Sequence, residues 1–255
     1  MNTGGALRVE VDRLTKTFGT SVAIADVSFA ARDDEFVTLV GPSGCGKSTT
    51  LRIVAGLIEA TAGTVRVDQR QVRGPVAGAA MVFQAPVLLP WRRMVDNILF
   101  TAEMRGRVDD DARARAAGLI ELAGLAGAEQ RYPHELSGGM QQRVAICRAL
   151  LLHPSLLLMD EPFGALDVLT RERLAFQLQH IWLRERSTVL FVTHSISEAV
   201  LLSDTVLVFG SKPGRIRKTV AVDLPRPRDT ATLREPRFLD LSAEIRSEME
   251  SEWPD

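Results

Sequence analysis

The sequence predicts an α/β fold: a mainly parallel sheet covered by helices on both faces. Three observations carry this. Short apolar runs alternate with helix-patterned segments, as repeated strand–helix–strand units require. A glycine-rich break, Gly41–Gly46, separates one apolar run from one helical segment. A central stretch, about 86–150, turns to Ala, Leu, Arg and Glu at helical spacing.

The elements follow in order. Leu7–Val11 alternates apolar and polar residues, and Phe36–Val40 is a continuous apolar run suited to a buried strand. Helix is expected from Lys47 onward. Thr64–Val67 and Ala79–Phe83 read as short strands. Leu119, Leu122 and Ala123 fall at i, i+3, i+4 behind the acidic start Asp109–Asp111, which suits a helix N-terminus. Then come a strand at Leu156–Met159, a helix at Arg171–Arg186, a β-branched strand at Thr188–Thr193 and a helix at Ser197–Leu202. Thr205–Phe209 and Arg215–Val222 read as closing strands. A tail from about 223 to 255 carries Pro225, Pro227 and Pro236 before an amphipathic stretch ending near Glu250. The expected division is a core over about 7–85 and 151–222 with a helical subdomain, about 86–150, inserted in it.

Composition excludes several functions. The 255 residues carry a formal charge of -1, which argues against broad neutralisation of nucleic-acid phosphates. Aromatics make up 5%, too few for a base-stacking platform. No run of about 18 apolar residues is present to span a membrane. The N-terminus lacks the basic and apolar regions of a secretory signal. Cys45 and Cys147 form neither a disulfide framework nor a metal spacing. A cytosolic chain that binds no nucleic acid is expected.

Gly41-Pro42-Ser43-Gly44-Cys45-Gly46-Lys47-Ser48 fits G-x-x-x-x-G-K-[ST], with a strand before it and a helix after it. Glycines let backbone N–H groups turn inward around phosphate oxygens, and the helix adds its positive end. Lys47 is expected to reach the β- and γ-phosphates, and the Ser48 hydroxyl to help hold Mg²⁺. Cys45 fits as a small residue, with a redox-sensitive thiol as the alternative.

The strand Leu156–Met159 runs into two acids, Asp160 and Glu161. Paired carboxylates at a sheet's C-terminal edge are costly without a use, and ligands bind at that edge in open α/β sheets. Neighbouring strand residues face opposite ways. Asp160 is therefore expected to orient Mg²⁺, and Glu161 to polarise the water that attacks the γ-phosphate.

Ser137-Gly138-Gly139-Met140-Gln141 precedes another helical stretch and forms a second anion-binding helix start. Two such starts for one nucleotide imply nucleotides shared between two chains arranged head to tail.

With these motifs in place the chain resembles the ATP-binding subunit of ATP-binding cassette (ABC) transporters, over about Val9–Asp204. The resemblance implies a P-loop NTPase core with an antiparallel β subdomain and an inserted α-helical subdomain. ATP and Mg²⁺ are implied as cofactors, with ATP contacts over Gly41–Ser48 and Thr49. Ser137–Gln141 would touch the ATP of a second copy. The resemblance also implies that Gln84 touches Mg²⁺, that His194 contacts the γ-phosphate and acts in catalysis with Lys47 and Glu161, that Asp167 crosses the dimer interface, and that Phe18 stacks on adenine. Plainer roles stay open: a surface turn for Gln84, a structural role for His194, core for Phe18, a helix cap for Asp167. Met140 replaces the glutamine, Phe18 the tyrosine and Asp34 the glycine common in that family.

The string Pro86–Trp91 follows Gln84 and is either an apolar contact for a membrane subunit or local core. Leu88-Leu89-Pro90-Trp91, Ser-Gly-Gly-Met and the tail Asp223–Arg228 resemble the nitrate/sulfonate/taurine group of bacterial importers. That resemblance implies integral membrane permease subunits and, indirectly, a periplasmic or lipid-anchored solute-binding protein as partners. It places the chain peripherally on the cytoplasmic face of the cell membrane. The alternative is a cytosolic ABC ATPase outside transport; a simple nucleotide kinase would leave Ser137–Gly139 without a role.

Overall fold

A computed structural model describes residues 6–106, 108–164 and 166–250. The chain opens with two long strands, β1 (Leu7–Phe18) and β2 (Ser21–Arg32), then β3 (Phe36–Val40) and helix α1 (Lys47–Val54). Three short strands follow: β4 (Ala62–Val67), β5 (Arg70–Gln71) and β6 (Ala79–Val82). Helices α2 (Met94–Met104), α3 (Asp110–Leu122) and α4 (Gly138–Leu150) lead to β7 (Leu156–Asp160). Then come α5 (Val168–Glu185), β8 (Thr188–Thr193), α6 (Ile196–Leu202), β9 (Thr205–Phe209), β10 (Ile216–Ala221) and α7 (Pro236–Glu250).

The strands form two sheets, one ordered β10-β9-β3-β8-β7-β6 and one ordered β2-β1-β4-β5. In the larger sheet every pairing is parallel except that of β10 with β9. The smaller sheet is antiparallel throughout.

The continuous apolar runs of β3, β7 and β8 are buried along their whole length. Alternate residues serve different layers, as the two-residue strand period demands. Phe36, Val40, Met159 and Phe191 face a core shared with the helices. Val37, Leu39, Leu158 and Leu190 face a core shared with α1 and the smaller sheet. Phe36 packs edge-on against Trp182 of α5, ring centres 5.7 Å apart.

The structure corrects several sequence expectations. β1 continues past Val11, and β2 was not foreseen. Bulges shift the β1–β2 register between Val11 and Leu14 and again by Lys16, and Arg13 and Asp26 have positive φ. Those irregularities break the alternation that betrays a strand. Residues 86–93 hold no helix, since Pro86, Pro90 and a positive φ at Val87 interrupt the chain before α2. α5 begins at Val168, ahead of Arg171, because Asp167 caps it by accepting from the Thr170 N–H at 3.0 Å. The acidic stretch Asp109–Asp111 lies at the start of α3 as expected, and Asp109 caps the helix, accepting from the Ala112 N–H at 2.8 Å. Among the described residues no helix is long and apolar enough to cross a membrane.

Candidate nucleotide-binding site

The loop between β3 and α1 lies at the C-terminal edge of the parallel strands. No side chain caps α1, no acid occupies its first turn, and Gly46 precedes it with φ 94°. A Cβ at Gly46 would stand 2.2 Å from Ile24 Cγ2, so only glycine fits. The uncapped N–H groups and the helix dipole favour an anion. Lys47 is buried, and its Nζ donates to the carbonyls of Gly41 and Pro42 at 2.8 Å each. The ammonium therefore sits inside the loop. Cys45 is buried with Sγ 3.7 Å from that Nζ. Burial pushes its thiol above the ordinary value, so it stays protonated at neutral pH and serves as a small core residue.

β7 delivers the acids. Asp160, its last residue, is buried, and its Oδ1 accepts from the Ser48 hydroxyl at 2.5 Å. Arg52 approaches the other carboxylate oxygen at 3.7 Å. Glu161 lies beyond the strand in a left-handed conformation, φ 45°. The turn, and not strand alternation as expected, is what separates the two carboxylates. Glu161 Oε2 lies 3.3 Å from His194 Nδ1 at the end of β8. Gly164 completes this corner: a Cβ there would meet Gln84 Nε2 at 3.2 Å and Glu161 Oε2 at 3.6 Å. The Gln84 amide, the Glu161 carboxylate and the His194 imidazole thus share one corner, with Lys47, Ser48 and Asp160 forming the phosphate-loop side.

Other expected residues lie outside this group. Ser137 caps α4, accepting from the Met140 N–H at 3.3 Å. Gly138 and Gly139 pack toward Leu166, Thr170 and Leu174. Gln141 donates to the carbonyls of Pro133 and Leu136. Phe18 is 51% exposed with Lys16 Nζ 4.9 Å from its ring centre, so it is not core. Trp91 is 72% exposed, which excludes the core reading of that residue. A cleft of about 670 Å³ joins Gly41–Ser43 and Cys45 to His194, Lys212 and Met249.

The family model described as ABC transporter matches residues 24–164. A nitrate import ATP-binding protein, NrtD of Synechocystis sp., is 41% identical over 94% of this chain and 94% of its own. The chain belongs to the ABC transporter family. It is an ATPase subunit of that family, homologous to import ATP-binding proteins. SsuB of Bacillus licheniformis, an aliphatic sulfonates import ATP-binding protein, is 43% identical over 92% of this chain and 89% of its own. An ABC cassette solved as a dimer in a post-hydrolysis state with ADP and Pi matches at TM-score 0.73 and 30% identity, covering 85% of this chain and all of that one.

Several residues that shape this ABC site escaped sequence reading. Arg171 holds the turn after Glu161, donating to Leu166 and Gly164 carbonyls at 2.8 and 3.0 Å. Asn97, fully buried, binds the segment after Gln84: it accepts from the Leu89 N–H at 2.8 Å and donates to the carbonyls of Leu89, Arg92 and Arg93. Gly214 touches the phosphate loop from behind. None has a local sequence pattern, because each acts on carbonyls or backbone brought near only by folding.

Proposed function

We propose that two copies of this chain power an importer of nitrate, sulfonate, taurine or a related small solute, working on the cytoplasmic face of the membrane beneath permease subunits supplied by a solute-binding protein. In each copy Gly41–Thr49 cradle the ATP phosphates, Lys47 neutralises the β- and γ-phosphates, and Phe18 lies against adenine. Ser48, Asp160 and Gln84 would hold Mg²⁺. Hard oxygen donors suit that ion, which takes one or two carboxylates beside substrate phosphates. The Ser48–Asp160 contact sets such oxygens side by side. When bound, the ion supplies charge neutralisation on the phosphates.

Glu161 accepts a proton from the attacking water, and His194 orients that corner and meets the γ-phosphate. Ser137–Gln141 complete the pocket of the other copy, and Asp167 lies at the interface between them. The observation that carries the two-chain reading is a second glycine-rich helix start, capped by Ser137 and set against Leu166, Thr170 and Leu174, in a chain whose phosphate loop already has its own at Gly46; the similar cassette with ADP and Pi is a dimer. ATP binds the closed pair more tightly than the open chains, and this difference drives closure. Closure moves the segment after Gln84, where exposed Val87 and Trp91 offer the membrane subunits an apolar contact.

The test is Glu161→Gln, which keeps the shape and removes the base. It is expected to bind ATP with Mg²⁺ and run as a dimer in light scattering, with hydrolysis lost. A monomer at saturating ATP, or parental hydrolysis, contradicts the proposal.

A further inference from the structure

His194 is set directly before α6, a helix of two turns. A helix that short does not hold its shape in water by itself. Its front end is tied locally. Ser195 caps it, accepting from the Glu198 N–H at 3.3 Å. The Thr193 hydroxyl donates to buried Glu198 at 2.5 Å and accepts from the Ser195 N–H at 3.0 Å.

Its rear end is tied by the tail. Arg228 is 1% exposed, and one guanidinium nitrogen donates to three carbonyls: Val200 at 2.8 Å, Leu201 at 3.1 Å and Ser203 at 2.7 Å. The other terminal nitrogen donates to the Leu224 carbonyl at 3.0 Å. Arg226 donates to the Leu202 carbonyl and to Asp204, with its guanidinium 4.3 Å from the Trp182 ring centre. The Arg228 backbone is clamped both ways by buried Gln179 of α5, at 2.6 and 2.7 Å. The tail then runs on through α7, whose Met249 lines the same cleft as His194.

A buried guanidinium is costly unless its donors are used. Here the two terminal nitrogens are used, covering the open carbonyls at a helix C-terminus, where a cation is also favoured by the dipole, while Nε is buried without a partner. Every carbonyl from Val200 to Ser203 is thereby taken by a tail arginine. Ser203 and Asp204, which follow α6, are anchored in turn to β3 through Thr38 and Phe36.

We propose that Arg228 is a positioning residue of the hydrolytic centre: it fixes α6 from the tail side and so holds the His194 imidazole 3.3 Å from Glu161. The proposal rests on the role given to His194 above. It makes the tail part of the catalytic machinery, with no contact between Arg228 and nucleotide.

The experiment uses the full chain and four measurements: kcat at saturating ATP, affinity for MgADP, melting temperature, and the NMR resonance of the His194 ring, assigned by its loss in His194→Ala. Arg228→Gln keeps length and some donors but loses the three-carbonyl contact. It is expected to stay folded at the assay temperature with MgADP affinity within about twofold of the parent. Its kcat should fall about tenfold, since displacements near an ångström cost up to about a hundredfold, and its His194 resonance should move. Arg228→Lys, with three donors and no planar fork, should recover part of kcat and part of the shift.

Parental kcat with an unmoved resonance in either folded variant overturns the proposal. A fall in kcat matched by loss of MgADP affinity overturns it too, as that marks general damage. If only Arg228→Lys folds, it decides by the same criteria. Parental hydrolysis in His194→Ala would refute the reading of His194 itself, and this proposal with it. Abolished hydrolysis there beside parental kcat in Arg228→Gln would refute this proposal alone.

Discussion

Gly214 lies outside every motif and yet supports the phosphate loop, so replacing it by alanine should cripple nucleotide handling. Its N–H donates to the Ala23 carbonyl and its carbonyl accepts from the Ala25 N–H, both at 3.0 Å, which fixes it against β2. A Cβ there would stand 1.8 Å from the Cys45 carbonyl oxygen and 2.9 Å from the Cys45 carbonyl carbon. Close C–H···O=C contacts lie at about 3.3–3.6 Å. The two backbones must therefore part by roughly 1.5 Å. Gly214, unlike Gly46, does not occupy the left-handed region, so alanine tolerates its backbone angles and the effect is displacement alone.

Cys45 sits in the middle of the cradle. Shifting a positioning element by about 1 Å costs on the order of 10²-fold, or about 2.7 kcal/mol in the barrier. Overpacking should also cost about 1–3 kcal/mol of stability. The assay is phosphate release over a range of ATP concentrations, beside a melting curve. Gly74→Ala is the control, because nothing lies within 4 Å of a Cβ at that position. Gly214→Ala with parental kcat/KM would refute the reasoning.

Three further outcomes are expected. Asn97→Ala takes the side-chain partner from the part-buried Leu89 N–H and removes the donations to three carbonyls; it should cost about 1–3 kcal/mol in urea unfolding and weaken co-purification with the membrane subunits. Trp91→Ala should weaken co-purification alone, with hydrolysis by the isolated chain unchanged. Burial pushes the Glu198 carboxyl above its ordinary value of 4.5. The folded chain then holds a proton that the unfolded chain releases, so stability falls as pH rises from 4.5 through the raised value. Glu198→Gln should melt higher than the parent at pH 8, with the gap closing toward pH 4.5. A pH-independent gap would contradict that origin.

The buried strands were legible because short, nearly continuous apolar and β-branched runs have few alternatives. Phe36–Val40 and Thr188–Thr193 match their strands residue for residue. The phosphate loop was legible because its glycines and Lys47 act within eight consecutive residues. β2 was not, since bulges destroy its alternation, and the split between Asp160 and Glu161 arises from a left-handed turn that a strand pattern does not foretell. Asn97, Gly214 and Arg228 were invisible for a different reason. Each binds backbone groups, which every residue carries, so nothing in the partner's identity marks the pairing. The plain reading of Asp167 as a cap is what its side chain does within one chain.

Mixing two inactive variants tests the shared-pocket claim most directly. Lys47→Ala destroys a chain's own cradle, and Ser137→Phe destroys what it offers its partner. In a head-to-tail pair of one of each, one pocket has both defects and the other has none. Hydrolysis should reappear on mixing, up to about half the parental rate per mixed dimer. If each pocket is built from one chain, the mixture will stay as inactive as its components.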